Sequence, residues 1–313
     1  MVKEYKFVSA VIYIHNQQKN IQTYLGLVHS FLREHFIKYE VICVDDASSD
    51  ESVKRIHELV EKEKLDNVSL ISMSVFHGRE LGMESGVDLS IGDYVYEFEW
   101  IDMFDPETYA DKLWRAYEEA ISGYDIVTYS SSRYKGLGSV LFYKLYNRSN
   151  RSYMELTPER FRIVTRRAIN RVSRMNKAIV YRKALYANSG LKVKDIGDKK
   201  PEKSFKNKNV IRNKSKMGVN VLLAYTGLIP KIAFVIECVL LVLFCCSFFY
   251  LGFSQQPMTN KLHLFVISLA AALLGAIGLI IVKYCELLLE LVLKKEKYLF
   301  SSVEKLVNSK ENK

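Results

Sequence analysis

Short apolar runs alternate with amphipathic stretches along the first 130 residues. Residues 7–15 (FVSAVIYIH), 39–44 (YEVICV), 68–72, 94–98 and 126–130 are rich in β-branched and aromatic side chains and predict strands. Between them, residues 19–34 carry Ile21, Leu25, Val28 and Leu32 at helical spacing. Ser48, Ser49 and Asp50 offer N-caps for a helix running to about Glu63. Residues 80–90 and, after Pro106, 107–122 complete the set of helices. Strands and helices alternating at this length predict an α/β fold: a mostly parallel, Rossmann-like sheet covered on both faces. Ligands of such sheets bind beyond the carboxyl ends of the strands.

The pattern changes further along. Residues 139–150 and 159–173 read as helical pieces, and 177–216 are polar and Lys-rich with weak strand signals at 179–181 and 191–193. Two apolar stretches follow, 232–253 (IAFVIECVLLVLFCCSFFYLGF) and 262–284, joined by the polar connector 254–261. Each has about the 20 residues a helix needs to cross a bilayer. Both are apolar all round, unlike the amphipathic helix of a soluble core, so the chain is expected to carry a transmembrane hairpin. The expected organisation is a nucleotide-binding domain over 1–176, a basic juxtamembrane segment over 177–231, the hairpin over 232–284, and a cytosolic helix with a frayed tail over 285–313.

Charge sharpens this. The formal net charge is +10, and it concentrates beside the apolar stretches: Lys199, Lys200, Lys203, Lys206, Lys208, Arg212, Lys214 and Lys216 precede them, and Lys294, Lys295 and Lys297 follow. The connector holds only Lys261. Both termini are therefore expected in the cytoplasm, at the inner membrane. The lysines either contact anionic headgroups or only enforce topology, and their placement argues against nucleic acid as a partner. The five cysteines show no CxxC or Cys/His metal spacing.

Two acidic constellations carry candidate chemistry. Asp45-Asp46 ends a strand pattern and is followed by Ser48 and Asp50. It reads either as a ligand site, accepting hydrogen bonds from a nucleobase N–H or a ribose hydroxyl, or as a turn and helix cap. The second is Glu97, Glu99, Asp102 and Asp105 in YEFEWIDMFDPE. Acids at a strand end suit a divalent cation that bridges to substrate phosphates, or a solvated loop.

In order and spacing, these pieces resemble the membrane-anchored family-2 glycosyltransferases that load a sugar onto polyprenyl phosphate, of the dolichol-phosphate mannose synthase and bactoprenol glucosyltransferase type. VICVDDASSDES resembles that family's V-D-D-G-S-x-D motif. FHGRELGMESGVDLSIGDYVYEF resembles N-x-G-x-x-x-A-x-x-x-G-x-x-x-A-x-G-D-x-V, and RFRIVTRRAI resembles the G-D-F-R-L-M-x-R segment. WIDMFDPE stands where the family has D-A-D-L-Q-D-P-P-E.

The resemblance implies a GT-A fold, a UDP- or GDP-linked sugar donor, Mg²⁺ or Mn²⁺, and transfer with inversion to a polyprenyl phosphate at the cytosolic face, for cell-envelope glycans. It implies nucleotide contacts from Asp45, Asp46, Asn16 and Arg79, and catalytic roles for Asp102 and Arg162; Arg160, a base where the family has an acid, is expected to take over part of the metal's charge-neutralising role in catalysis. Metal ligation would fall to Asp102 and Glu99, and acceptor phosphate contacts to Arg133, Lys214 and Lys216. A homo-oligomer is a further expectation. The chain departs from the pattern at Trp100, which stands for the first Asp of D-x-D, and at Arg160, which stands for the Asp of G-D-F-R. A second expectation follows: a catalytically impaired nucleotide-binding homologue that partners an active transferase or a flippase.

Overall fold

The structure, a computed structural model, describes residues 2–99, 101, 106–130, 137–149, 155–175, 181–197, 260–293 and 298–306, with scattered residues between 218 and 242. The chain forms two compact units, one of residues 1–143, 152–206 and 296–313, the other of 144–151 and 207–295.

In chain order the first unit holds β1 (Glu4–Ile14), α1 (Ile21–His35), β2 (Phe36–Asp45), α2 (Ser52–Glu63), β3 (Val68–Met73), α3 (Arg79–Leu89), β4 (Tyr94–Phe98), α4 (Pro106–Ile121) and β5 (Ile126–Ser130). Helix α5 (Leu137–Ser149) leads to the unit boundary, and β6 (Glu159–Thr165), α6 (Arg166–Ser173), α7 (Arg182–Ala187) and β7 (Val193–Asp195) follow. After the second unit, β8 (Phe300–Leu306) returns to the sheet.

The eight strands lie in the order β7-β5-β6-β4-β1-β2-β3-β8. The centre is parallel, with β1 between β2 and β4 and β3 beyond β2. Strand β6 runs antiparallel between β4 and β5. This is the expected α/β sheet of GT-A type. Strand β1 is buried without a break from Val8 to Ile14 because both its faces are covered. Val8, Ala10, Ile12 and Ile14 join the core with Tyr24, Leu25 and Val28 of α1, Ile56 of α2, and Tyr109 and Leu113 of α4. The opposite face takes α3, which lies close to the sheet. A Cβ at Gly82 would stand 2.7 Å from the Tyr13 ring, and one at Gly86 would stand 2.4 Å from Val11 Cγ1 and 2.7 Å from Val44 Cγ2. Two glycines one turn apart thus bring the helix onto β1 and β2.

Three expectations change. Residues 159–173 do not form one helix. Their first half is β6, paired on both sides, and Thr165 then caps α6 by accepting from the Ala168 N–H at 3.2 Å. The polar 177–216 stretch contains helix α7 as well as strand β7, within the described part. The tail is ordered as β8, antiparallel to β3, with Leu306 opposite Val68 and 8 % exposed in the core. Without β8 the β3 edge would present unpaired backbone groups.

In the second unit, α8 (Asn260–Leu293) is a single helix of 34 residues that contains the second apolar stretch. Most of the first apolar stretch lies outside the described residues. Among the described residues, no helix is long and apolar enough to cross a membrane.

Candidate functional site

The carboxyl end of β2, beside that of β1, carries Asp45 and Asp46, and the two acids have opposite surroundings. Asp46 is fully buried. Its Oδ1 accepts from the His77 N–H at 2.8 Å, and its Oδ2 accepts from the Gly78 N–H and the Tyr13 hydroxyl at 2.8 Å each. Gly78 has φ of 88°, a left-handed conformation that suits glycine. Asp46 therefore fixes the turn between β3 and α3. Its carboxylate thus serves three protein donors.

Asp45 is 4 % exposed, and Ser48 hydrogen-bonds it, its N–H lying 3.3 Å from Oδ2. Its Oδ1 is buried with no hydrogen-bond partner among the described residues. Burial pushes its carboxyl above the usual range, against the hydrogen bonds from Ser48 and the nearby His15. A buried carboxylate oxygen without a donor costs free energy, and a ligand N–H or O–H would relieve it.

Asn16 ties the two strand-end loops together. It has φ of 54°, accepts the Ser49 N–H at 2.8 Å, and donates its own N–H to Ser48 Oγ at 2.9 Å. Asp50 accepts from the Gln18 N–H at 3.1 Å and from the Ser52 N–H at 2.9 Å, while the N-cap of α2 is Glu51, one residue beyond the expected candidates, and makes no side-chain cap hydrogen bond. Arg79 opens α3, with its guanidinium carbon 5.7 Å from the Tyr13 ring centre. Asp45, Asn16 and Arg79 thus stand on loops and ends that the Asp46 hydrogen bonds hold in place.

A buried ionic cluster lies at the end of β4. Arg162, 1 % exposed, donates through Nε to Glu159 at 2.7 Å, through Nη1 to Glu97 at 2.8 Å, and through Nη2 to Glu99. Arg182 donates to Glu97 through Nε at 3.1 Å and through Nη2, and the Tyr186 hydroxyl donates to Glu97 at 2.5 Å. The Arg182 N–H donates to Glu80 at 2.8 Å. Burial opposes the charged form of Glu99, but Arg162, Lys183, Arg79 and Arg182 outweigh it and hold its carboxyl down at about 2. Burial, then the negative charge of Glu99, pushes Glu80 up to about 7. A narrow cavity beside the cluster, lined by Thr128, Glu159, Arg162, Lys183 and Tyr186 among others, holds about 10 Å³ of accessible space, roughly one water.

Two expected site residues are thus paired with each other: Arg162 is enclosed by three glutamates, and Glu99 is one of its ion-pair partners. Hard divalent ions need several oxygen donors. Among the described residues no group of three or more His, Cys, Asp or Glu converges to hold one, and Asp102, the other expected ligand, lies outside them. Arg160 is half-buried on β6. Asp102, Arg133, Lys214 and Lys216 lie outside the described residues, as does Trp100.

Residues 9–186 match the sequence pattern of glycosyl transferase family 2. The chain belongs to this family. The match spans β1 to α7 and so takes in both the Asp45–Asp46 edge and the ionic cluster. An uncharacterized glycosyltransferase of Synechocystis is 25 % identical over 187 residues, covering 58 % of this chain and 57 % of that protein. A prophage bactoprenol glucosyl transferase homolog of Escherichia coli is 22 % identical over 181 residues, covering 57 % and 58 %. An undecaprenyl-phosphate 4-deoxy-4-formamido-L-arabinose transferase of Aeromonas hydrophila is 31 % identical over 124 residues, covering 39 % and 36 %. The chain thus spans from about a third to little more than half the length of the curated relatives it matches. Among solved structures, glucosyl-3-phosphoglycerate synthase from Mycobacterium tuberculosis in complex with UDP superposes with a TM-score of 0.50 at 14 % identity, over 70 % of this chain and 79 % of that one. That likeness concerns the fold.

Within the family 2 domain, sequence reading missed Tyr13, Glu80, Arg182, Lys183 and Tyr186. The only signal at Tyr13 is that a tyrosine stands where the family pattern has proline. For the others the signal was weak, because their partners lie far away in the chain: Arg182 and Glu97 are 85 positions apart.

Proposed function

We propose that the protein is a membrane-bound inverting glycosyltransferase that moves a sugar from a UDP- or GDP-linked donor to a polyprenyl phosphate at the cytosolic face, in cell-envelope glycan synthesis or modification. The observation that carries this reading is Asp45: a buried carboxylate oxygen without a protein donor, at the carboxyl edge of a family 2 sheet. That edge is where such folds take their ligands, and a carboxylate there accepts from a nucleobase or ribose. The names of the E. coli and A. hydrophila relatives support a polyprenyl carrier as acceptor.

A membrane location rests on the two apolar stretches and their flanking lysines. It is further supported by α8, whose Leu274, Leu279, Ile281 and Val282 are each more than half exposed. Large exposed apolar surface marks contact with protein or lipid. On this reading the inner membrane holds the hairpin, both termini face the cytoplasm, and the basic 177–231 segment, with Lys214 and Lys216, lies against anionic headgroups. Arg133 and Arg160 are proposed to meet phosphate oxygens. A phosphate acceptor is already ionised at neutral pH, so positioning and charge neutralisation carry most of the catalysis.

A second reading is a nucleotide-binding partner without turnover. It is favoured by Trp100 in place of an acid and by the commitment of Glu99 to Arg162. Asp102 is the remaining candidate ligand for Mg²⁺ or Mn²⁺. Purified protein in detergent, given a panel of labelled UDP- and GDP-sugars and polyprenyl phosphate with and without these ions, separates the readings. Product supports the transferase. Nucleotide binding without product from any donor supports the partner.

A further inference from the structure

We propose that Phe76 is the residue on which the nucleobase of the donor stacks, with His15 bracing its ring. The inference rests on the nucleotide-dependent reading above and assigns that site its specificity surface. After β3 the chain turns through Val75 and Phe76, and Phe76 stays 52 % exposed. Its ring centre lies 4.6 Å from that of His15, at an interplanar angle of 50°.

Neither ring is free to drift. The Nδ1 of His15 is 2.8 Å from the Asp46 carbonyl oxygen. The turn beyond Phe76 is pinned by the two N–H groups that Asp46 accepts. His77 accepts the Leu299 N–H through Nε2 at 3.1 Å, so its proton sits on Nδ1, which donates to the Val75 carbonyl at 2.6 Å. The Ser74 N–H donates to the Leu299 carbonyl at 2.9 Å. The turn is thus clasped on one side by Asp46 and on the other by the segment leading into β8. It presents an aromatic ring that the core does not absorb.

Asp45 ends the neighbouring strand β2 at the same sheet edge; its buried Oδ1 lacks a donor among the described residues, and His15 influences its charge. A flat ring and an edge acceptor, both neighbours of His15, are the two features a nucleobase needs: a π-face to stack on and an acceptor for an N–H. An exposed apolar side chain alone would need no explanation. Here the pinned turn, the bracing histidine and the unpaired carboxylate oxygen occur together.

The test is calorimetric titration of UDP and of GDP into the full-length protein in detergent, for wild type, Phe76→Ala and Phe76→Tyr. Loss of one stacking contact should weaken the tighter nucleotide by about tenfold in Phe76→Ala. Phe76→Tyr should bind within about twofold of wild type, since the ring is kept. The thermal transition should not move, because the side chain is half exposed. Unchanged affinity in Phe76→Ala, or an equal loss in Phe76→Tyr, would overturn the stacking assignment and leave the nucleotide reading standing. Wild type without affinity for either nucleotide would overturn both.

Discussion

Glu97 and Arg162 face each other across the β4–β6 ladder, and their side chains meet at 2.8 Å with neither more than 1 % exposed. This pair anchors a cluster in which Arg162 also holds Glu99 and Glu159. Replacing Arg162 by methionine would leave three buried acids without their shared cation. Breaking a buried pair in this way costs about 3–5 kcal/mol. Chemical unfolding of the full chain in detergent should show that loss, and Arg162→Lys should not restore it, because an ammonium cannot reproduce the planar fork. An Arg162→Met protein as stable as wild type but inactive would instead return Arg162 to the catalytic group.

The cluster also predicts a pH dependence with a definite sign. The Glu80 carboxyl rises from its ordinary 4.5 to about 7 in the folded protein. Between those values the folded state binds more protons than the unfolded state, so stability falls as pH rises across that window. Glu80→Gln should remove this slope and stabilise the protein at neutral pH by about 1–2 kcal/mol. Glu99 has the opposite sign. Held at about 2 against an ordinary 4.5, it contributes stability above pH 4.5 that is lost as pH falls toward 2. Thermal unfolding of wild type and Glu80→Gln from pH 2 to pH 8 checks both statements.

The parallel heart of the fold was legible because its strands are continuous apolar runs, a pattern that burial on both faces demands. Strand β6 was misread because RFRIVTRRAINRVS places apolar residues at spacings that suit a helix as well as a strand. Only pairing on both sides decides between them. Strand β8 (FSSVEKL) is short and polar, and its order comes from the β3 edge it covers, which no local pattern reveals. At the site, Asp45 and Asp46 were recognised as a pair. Their division of labour was not, because it depends on the backbone of His77 and Gly78, 31 and 32 positions on. The acids of β4 were recognised as unusual and assigned to a metal, since their guanidinium partners could not be located from spacing.

Strand β8 joins the segment after the second unit to the sheet, and Leu306 is the side chain that enters the core. Leu306→Ala should destabilise the first unit by about 2–5 kcal/mol. Freed edge groups on β3 should also raise aggregation. Unfolding curves with light scattering read both effects. Wild-type stability in this variant would show that β8 is not needed to close the sheet.

Asp45 and Asp46 should separate in a paired test. Asp46→Ala removes the acceptor of three protein donors and should lower stability by about 2–3 kcal/mol, with nucleotide affinity falling as the turn loosens. Asp45→Asn removes a buried charge that burial disfavours, and stability should be unchanged or slightly higher. Its nucleotide affinity should still drop at least tenfold, the loss expected for one charge-assisted hydrogen bond. Calorimetry and thermal unfolding of the two variants side by side give both readouts.

The most direct measurement is sugar transfer from UDP- and GDP-linked donors to polyprenyl phosphate, comparing wild type with Asp45→Asn. The expected result is a labelled polyprenyl-phosphate product from one donor with wild type, and at least a tenfold lower rate with Asp45→Asn at wild-type stability. Absence of product from every donor, with and without Mg²⁺ or Mn²⁺, in a folded sample would contradict the transferase assignment.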